Sequence, residues 1–150
     1  MAFDLLIRDL SSKRYLKTIG TDKGLAKIGD GLVNLAYSVA KSIYLTKNNL
    51  NKKIIRTGKK VNRTILANAL KNANLKKSAK TRADAHDLAD TAEALIAYIW
   101  LTGNMNLDTI IKFISENLSG EFHSRIQETT NATLAFTALL ENIKKYLPES

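Results

Sequence analysis

Apolar residues recur at helical spacing along almost the whole chain, and this periodicity restricts the fold more than any other feature. Leu25, Ile28, Leu32 and Ala36 follow one another at intervals of three, four and four residues, which places them on one face of a helix. No sustained alternation of apolar and polar residues, the pattern of half-buried strands, is present. One proline and seven glycines in 150 residues also leave few positions for turns. The sequence therefore predicts an all-α fold.

The same periodicity divides the chain into six helices. The predicted helices are residues 3–18, a long helix capped by Thr21 that ends before residues 48–51, a helix that follows Gly58, residues 84–101 with a C-cap at Gly103, residues 107–118, and a last helix after Gly120. Leu5 and Leu6 are expected to face inward, and residues 74–81 to form a basic loop. Because no repeat or linker composition interrupts the pattern, we expect a single-domain helical bundle over residues 1–150.

Several classes of protein are excluded by what the sequence lacks. The absence of cysteine excludes a disulfide framework, a thiolate zinc site and a cysteine nucleophile. The longest apolar run, residues 94–101, is far shorter than the about 20 residues that a membrane-spanning helix needs. Asp4 is an acid where a secretory signal peptide would have basic residues. We therefore expect a soluble, cytoplasmic protein with no membrane association.

Positive charge is concentrated in one segment of the chain, whose net charge is +9. Residues 31–83 contain 13 Lys or Arg and no Asp or Glu, a segregation typical of a surface that binds a polyanion. The candidate phosphate contacts are Lys52, Lys53, Arg56, Lys59, Lys60, Arg63, Lys76, Lys77, Lys80 and Arg82. Residues 45–97 contain no aromatic residue, which favours recognition of a duplex over stacking on single strands. A solvated charged face is the alternative.

Three acidic residues interrupt otherwise apolar helical segments. Asp90 and Glu93 are three residues apart, so their side chains share one helix face and can ligate a divalent cation together. Asp30 lies between Gly29 and Gly31, and glycine inside a helix indicates close approach of another backbone or of a ligand. Asp30 is therefore the candidate third ligand. Solvated surface acids, and simple helix packing at the glycines, remain the alternatives.

Two segments resemble motifs of a known family. Residues 25–33, LAKIGDGLV, resemble the signature helix of ribonuclease III endonuclease domains, whose core is Leu-Gly-Asp followed by apolar residues. Residues 89–97, ADTAEALIA, resemble that family's second motif, Ala-Asp-x-x-Glu-Ala-Leu-x-Gly-Ala. The helix between them, residues 64–70, is similar too, and the size and basic character resemble small archaeal and mini-ribonuclease III proteins.

The resemblance implies an all-α homodimeric endonuclease that cleaves double-stranded RNA with Mg²⁺ or Mn²⁺. The products would carry 5′-phosphate and 3′-hydroxyl ends. Asp30 takes the place of the signature Asp, and Asp90 and Glu93 take the places of the second-motif pair, so all three are expected to be catalytic residues and metal ligands. Lys59, Lys60, Arg63, Lys76, Lys77, Lys80 and Arg82 would contact the RNA.

The sequence also departs from the family pattern. The signature helix usually has a Glu four residues before its Asp, and here that residue is Ala26, as in mini-ribonuclease III proteins. Asp22 or Asp87 could supply a missing ligand. A catalytically inactive double-stranded-RNA-binding protein of the same fold is therefore an alternative, and a DNA-binding module that uses residues 58–75 in a groove is another. We expect RNA affinity to depend on the endonuclease surface itself, because no separate RNA-binding domain is recognisable.

Overall fold

The computed structural model of the chain describes residues 3–10 and 15–148, and these residues form an all-α fold with no strand. The helices are α1 (Asp4–Ile7), α2 (Leu16–Gly20), α3 (Lys23–Lys47), α4 (Arg63–Asn72), α5 (Ala85–Leu101), α6 (Leu107–Asn117) and α7 (Arg125–Ile143), with 3₁₀ turns at Lys76–Ser78 and Lys144–Tyr146. The predicted fold class is confirmed. No helix within the described ranges combines the length and the hydropathy that crossing a bilayer requires.

Helix α5 is the centre of the molecule. It is apolar around most of its circumference and packs against α2, α3, α4 and α7. A helix that is apolar on every side is stable only when it is surrounded, and this explains why the segment with the longest apolar run is the innermost element. Its buried residues belong to one continuous cluster that also includes the inner faces of α3, α4 and α7.

Capping side chains define where the long helices begin. Asp22, Asn62, Asp84, Asn106 and Ser124 each accept a hydrogen bond from the backbone N–H three residues later. The prediction that Thr21 caps the second helix is therefore wrong by one residue, since Asp22 Oδ1 accepts the hydrogen bond of Leu25 N–H and Thr21 is the C-cap of α2. Gly103, with φ of +80°, follows the end of α5 as predicted.

The predicted helix over residues 3–18 is wrong. Helix α1 ends at Ile7 and α2 begins at Leu16, while residues 11–14 lie outside the described residues. Leu5 and Leu6 are exposed rather than inward. The position of α2 is set by packing instead: Gly20 lies against the backbone of Ser78, and its carbonyl accepts a hydrogen bond from the Thr91 hydroxyl at 2.7 Å.

The segment after Gly58 is not helical until Arg63, because α3 binds its backbone first. Four side chains of α3, spaced by four residues, accept hydrogen bonds from alternate N–H groups of an extended segment that we call the strap (residues 54–61). The pairs are Asn34 with Val61 (2.7 Å), Ser38 with Lys59 (2.9 Å), Ser42 with Thr57 (2.9 Å) and Thr46 with Ile55 (2.9 Å). A bond at every second residue is the period of an extended chain. This side-chain ladder replaces the predicted first turn of the helix.

Candidate active site

A cavity of about 640 Å³ opens between α3, α5 and the end of the strap, and all three predicted acids line it. Asp30 comes from α3, whereas Asp90 and Glu93 come from α5. The wall also contains Ala26, Leu66, Val61, Asn62 and the basic residues Lys23, Lys27, Lys60, Arg63 and His86. The three acids from two helices therefore share one cavity, whereas their convergence on one cation stays a prediction.

Gly29 is the reason that Asp30 lies beside Glu93. A Cβ atom added at Gly29 would lie 2.9 Å from the Cα of Glu93 and closer still to its carbonyl group. Helices α3 and α5 therefore touch backbone to backbone at this point, which only glycine permits. The close approach predicted from the glycines is thus a helix contact at Gly29, whereas Gly31 has no neighbour that an added Cβ would meet.

Glu93 is the most strongly perturbed acid of the cavity. It is 7% exposed, and burial, a hydrogen bond with Asp30 and the negative charges of Asp30 and Asp90 together raise the pKa of Glu93 to about 8. The positive charge of Lys60 acts in the opposite direction. A carboxyl group held in this way by neighbouring carboxylates is typical of sites that bind a cation or transfer a proton.

This perturbation predicts an unusual pH dependence of stability for Glu93. Because its pKa is higher in the folded chain than the ordinary 4.5, its contribution to stability is complete below about pH 4.5 and is lost as the pH rises to about 8. Between pH 5 and 8.5 we expect the EDTA-treated protein to lose on the order of 3 kcal/mol of unfolding free energy from this group. Urea denaturation at both pH values measures the loss, and Glu93→Gln should lose markedly less. An identical loss in that variant would contradict the assignment.

Asp90 lies at the rim of the same cavity between two cationic partners. Its Oδ2 is 3.4 Å from Lys23 Nζ and 3.8 Å from His86 Nε2. Lys23, Lys27 and His86 are not among the site residues predicted from the sequence, yet all three line the cavity. The available signal was spacing, since His86 is one helical turn before Asp90.

Asp22 and Asp87, the two possible replacements for the missing Glu, are engaged elsewhere. Asp22 caps α3, and Asp87 completes the capping box of α5 and pairs with Lys80 at 3.3 Å. The backbone hydrogen bond with Asp84 is the main cause that lowers the pKa of Asp87. Both line a second, small pocket of about 50 Å³ that shares Asp90 with the main cavity, and neither lines the main cavity.

The donor set of the main cavity fits a hard divalent cation. Asp30, Asp90 and Glu93 offer carboxylate oxygens, the ligands that Mg²⁺ prefers, and the open cavity leaves room for coordinated water. As they are placed, no three acidic or histidine side chains in the described part of the chain are grouped closely enough to enclose a metal ion. The role of Asp30, Asp90 and Glu93 as ligands therefore stays a prediction.

The predicted RNA-contacting residues are not all in one place. Lys60 and Arg63 line the main cavity, and Lys80 lines the small pocket. Lys59 lies 4.0 Å from Glu128, whose Oε2 also binds Lys41 and the hydroxyl of Tyr37. The remaining three, Lys76, Lys77 and Arg82, line neither pocket.

Glu128 is a buried carboxylate that joins α7 to α3. Its Oε2 accepts hydrogen bonds from Lys41 at 2.8 Å and from the Tyr37 hydroxyl at 2.7 Å. Burial opposes ionisation, but these two hydrogen bonds and the charges of Lys41 and Lys59 outweigh it and lower the pKa of Glu128. Burial, together with the bond to Glu128, raises the pKa of Tyr37 well above its usual value. The hydrogen bonds of Tyr37 and Lys41 with Glu128 therefore hold α7 against α3, the helix that carries Asp30.

The sequence of the chain matches a known protein family. The family model described as Ribonuclease III matches residues 23–149, which include α3 to α7 and every residue that lines the main cavity. The chain belongs to the ribonuclease III family. The segment that matches ribonuclease III includes both the helix of Asp30, α3, and the helix of Asp90 and Glu93, α5. No curated protein matches the chain.

The alternative in which residues 58–75 act as a groove-entering DNA-recognition helix is not supported by the packing. Helix α4 has only ten residues, contacts α5 and α7, and buries Ile65, Leu66 and Leu70. A recognition helix must present side chains to the major groove, which a helix packed between two others cannot do along its length. The basic residues of this region are instead on the strap and at the two ends of α4.

Proposed function

We propose that this ribonuclease III-family chain is a Mg²⁺-dependent endoribonuclease that cleaves double-stranded RNA. Its products would carry 5′-phosphate and 3′-hydroxyl ends, and RNA processing in the cytoplasm would be its setting. The observation that carries the proposal is the convergence of Asp30, Asp90 and Glu93 on one open cavity whose wall also contains Lys60 and Arg63. The acidic side chains can bind a divalent cation, and the basic side chains beside them can bind the phosphodiester on which it acts.

Each side chain of the cavity has a distinct part in this proposal. Asp30, Asp90 and Glu93 would hold Mg²⁺, or Mn²⁺ in its place. The bound cation supplies Lewis acidity for the attacking water and the leaving oxygen. Lys60 and Arg63 bind phosphate oxygens on the cavity wall, and Arg63 can do so with two N–H groups at once. Lys23 keeps the Asp90 carboxylate oriented from the solvent side.

A catalytically inactive double-stranded-RNA-binding protein is the second candidate, and Ala26 is the observation that favours it. Ala26 lines the cavity at the position where the family usually has a Glu, so the wall offers three carboxylates where a typical member has four. Mg²⁺ sites in proteins commonly use few carboxylates and several waters, and three are therefore enough for one ion.

The decisive experiment is incubation of the purified protein with a labelled RNA duplex in Mg²⁺, Mn²⁺ or EDTA over a range of salt concentrations. The proposal requires cleavage in either metal and none in EDTA, with products that a ligase can join because they have 5′-phosphates. Binding without cleavage in both metals would support the inactive RNA-binding alternative. If the protein neither binds nor cleaves the duplex at low salt, the endoribonuclease and the inactive RNA-binding protein are both refuted.

We further propose that the protein acts as a homodimer formed by α3. Ile28, Leu35 and Val39 lie on one side of this helix and are 37%, 52% and 37% exposed. An exposed apolar stripe on a long helix is typical of a protein interface. A second copy is its proposed partner because ribonuclease III family members commonly form dimers.

Leu35→Glu is expected to convert the dimer to a monomer, because a symmetric interface would bury two new charges. Light scattering coupled to size-exclusion chromatography measures the mass directly. Leu134→Glu is the matched control, since Leu134 on α7 is 53% exposed and lies outside the stripe. A wild-type mass of a single chain at all concentrations would contradict the dimer, as would an unchanged dimer in the Leu35 variant.

A further inference from the structure

The outer edge of the strap is an unpaired row of backbone groups. In an extended chain the N–H and C=O of one residue point to the same side, and those of its neighbours point to the other side. Residues 55, 57, 59 and 61 pair with α3, so the backbone groups of residues 54, 56, 58 and 60 point away from it. Within the described ranges these four residues make no backbone hydrogen bond. The strap therefore presents an open edge to the surface.

The charge of the strap selects among possible partners for this edge. Residues 52–60 contain five cations and no acid. Of these, Lys59 is directed toward Glu128, whereas the side chains of Arg56 and Lys60 are exposed beside the open edge. A second strap, or another basic segment, would meet strong like-charge repulsion at this edge. A polyanion would not, which favours nucleic acid over an added protein strand.

The alternation of donors and acceptors along the edge matches the chemistry of RNA in particular. A phosphate only accepts hydrogen bonds, so it suits the backbone N–H groups and the Arg56 side chain. A ribose 2′-hydroxyl can donate, so it suits the outward carbonyl groups, for which DNA has no partner. Both kinds of group recur along each RNA strand.

The strap also leads directly to the acidic cavity. Its last two residues, Lys60 and Val61, are part of the cavity wall, and Arg63 follows them at the start of α4. A strand of RNA lying along the edge would therefore reach the cavity at the position of Lys60. The side-chain ladder fixes which residues of the strap face outward along this path.

We propose that the outer edge of the strap is an RNA-binding track that guides one strand of the duplex into the cavity. Its N–H groups and Arg56 bind phosphates, and its carbonyl groups accept hydrogen bonds from 2′-hydroxyls. This inference depends on the proposed function, because it assigns to the endoribonuclease a specific path for its substrate. The track would thus recognise the ribose through backbone groups, in addition to the phosphate contacts of the positively charged side chains.

Gly58 offers a matched pair of variants that tests the backbone contacts. Gly58→Pro removes one outward N–H, whereas Gly58→Ala keeps it, and an added Cβ would meet only the Ser38 hydroxyl, at 3.9 Å. We expect the proline variant to raise the Kd for a duplex RNA in Ca²⁺ about tenfold, and the alanine variant to change it less than twofold. Affinity for Mn²⁺ alone, measured by calorimetry, should be the same in both.

Two further measurements keep the test decisive if the proline variant does not fold. Arg56→Ala should lower the slope of log Kd against log salt by about one, and Lys112→Ala on α6, which lines no part of the cavity, should not. Replacing the 2′-hydroxyls by fluorine in the duplex, which removes the donor, should weaken wild-type binding several-fold.

The outcomes separate this inference from the function on which it rests. If the wild type cleaves RNA but the Gly58 and Arg56 variants bind it as the wild type does, the track is refuted and the endoribonuclease stands. If a strap variant instead changes the molecular mass, the edge belongs to the dimer interface and the track is again refuted. If the wild type neither binds nor cleaves duplex RNA, the proposed function itself fails.

Discussion

Replacing Asp90 by Asn is expected to slow cleavage of duplex RNA by at least about a thousand-fold, while RNA binding stays equal or becomes tighter. The carboxylate is a proposed cation ligand, and losing one such ligand removes several kcal/mol of transition-state stabilisation. The folded structure should tolerate the change, because Asp90 is part of an exposed ion pair with Lys23, and such pairs contribute little to stability. Single-turnover cleavage and filter binding measure the two effects separately.

Asp108→Asn provides the matched control for this experiment. Asp108 is an acid in the first turn of α6, and it does not line the cavity. Its replacement makes the same chemical change at a site without a proposed cation, so cleavage should remain within about twofold of wild type. If both variants cleave equally well, Asp90 is not a ligand and the carboxylate site is wrong.

Gly29→Ala is expected to lower the unfolding free energy by about 2–3 kcal/mol and the midpoint of thermal unfolding by on the order of 10 °C. The added methyl group would meet the backbone of Glu93, which cannot rotate away as a side chain can. Helices α3 and α5 must therefore separate, and Asp30 would move away from Glu93. We expect cleavage to fall with stability, and the pKa of Glu93 to move toward its ordinary value.

Gly31→Ala is the control, since it makes the same substitution two residues later in the same helix. An added Cβ at Gly31 meets no neighbour, and alanine favours the helix over glycine by roughly 0.5–1 kcal/mol. The midpoint of thermal unfolding should therefore stay the same or rise. Equal destabilisation by both substitutions would show that the cost comes from helix propensity and not from the contact with Glu93.

The parts of the site that could be predicted from sequence are those in which one residue type serves both packing and chemistry. Gly29 and Asp30 are adjacent, so the residue that allows two helices to touch also places the acid beside them. Asp90 and Glu93 lie on the helix with the longest apolar run, and this run placed them at the centre of the bundle. The helix boundaries near Asp84 and Gly103 followed from local capping chemistry.

The parts that could not be predicted depend on contacts between distant segments. The strap has residues compatible with a helix, but the polar side chains of α3 at positions 34, 38, 42 and 46 bind its backbone in an extended form. Likewise, Leu5 and Leu6 continue an apolar pattern, but both are exposed in the part of the chain that the structure describes. Periodicity reports which face is apolar and cannot report whether another segment is available to cover it.

The side-chain ladder restricts where residues can be inserted into this part of the chain. A helix advances about 6 Å in four residues, and an extended chain advances about 6.6 Å in two, so the two periods agree over the four pairs. Inserting one residue between Ile55 and Gly58, with the first pair held, would exchange inward and outward residues after it, and Gly58 would then take the place of Lys59 against Glu128. An insertion in residues 48–53 would leave every pair intact. Related sequences that differ in length here should therefore do so before the strap and not within it.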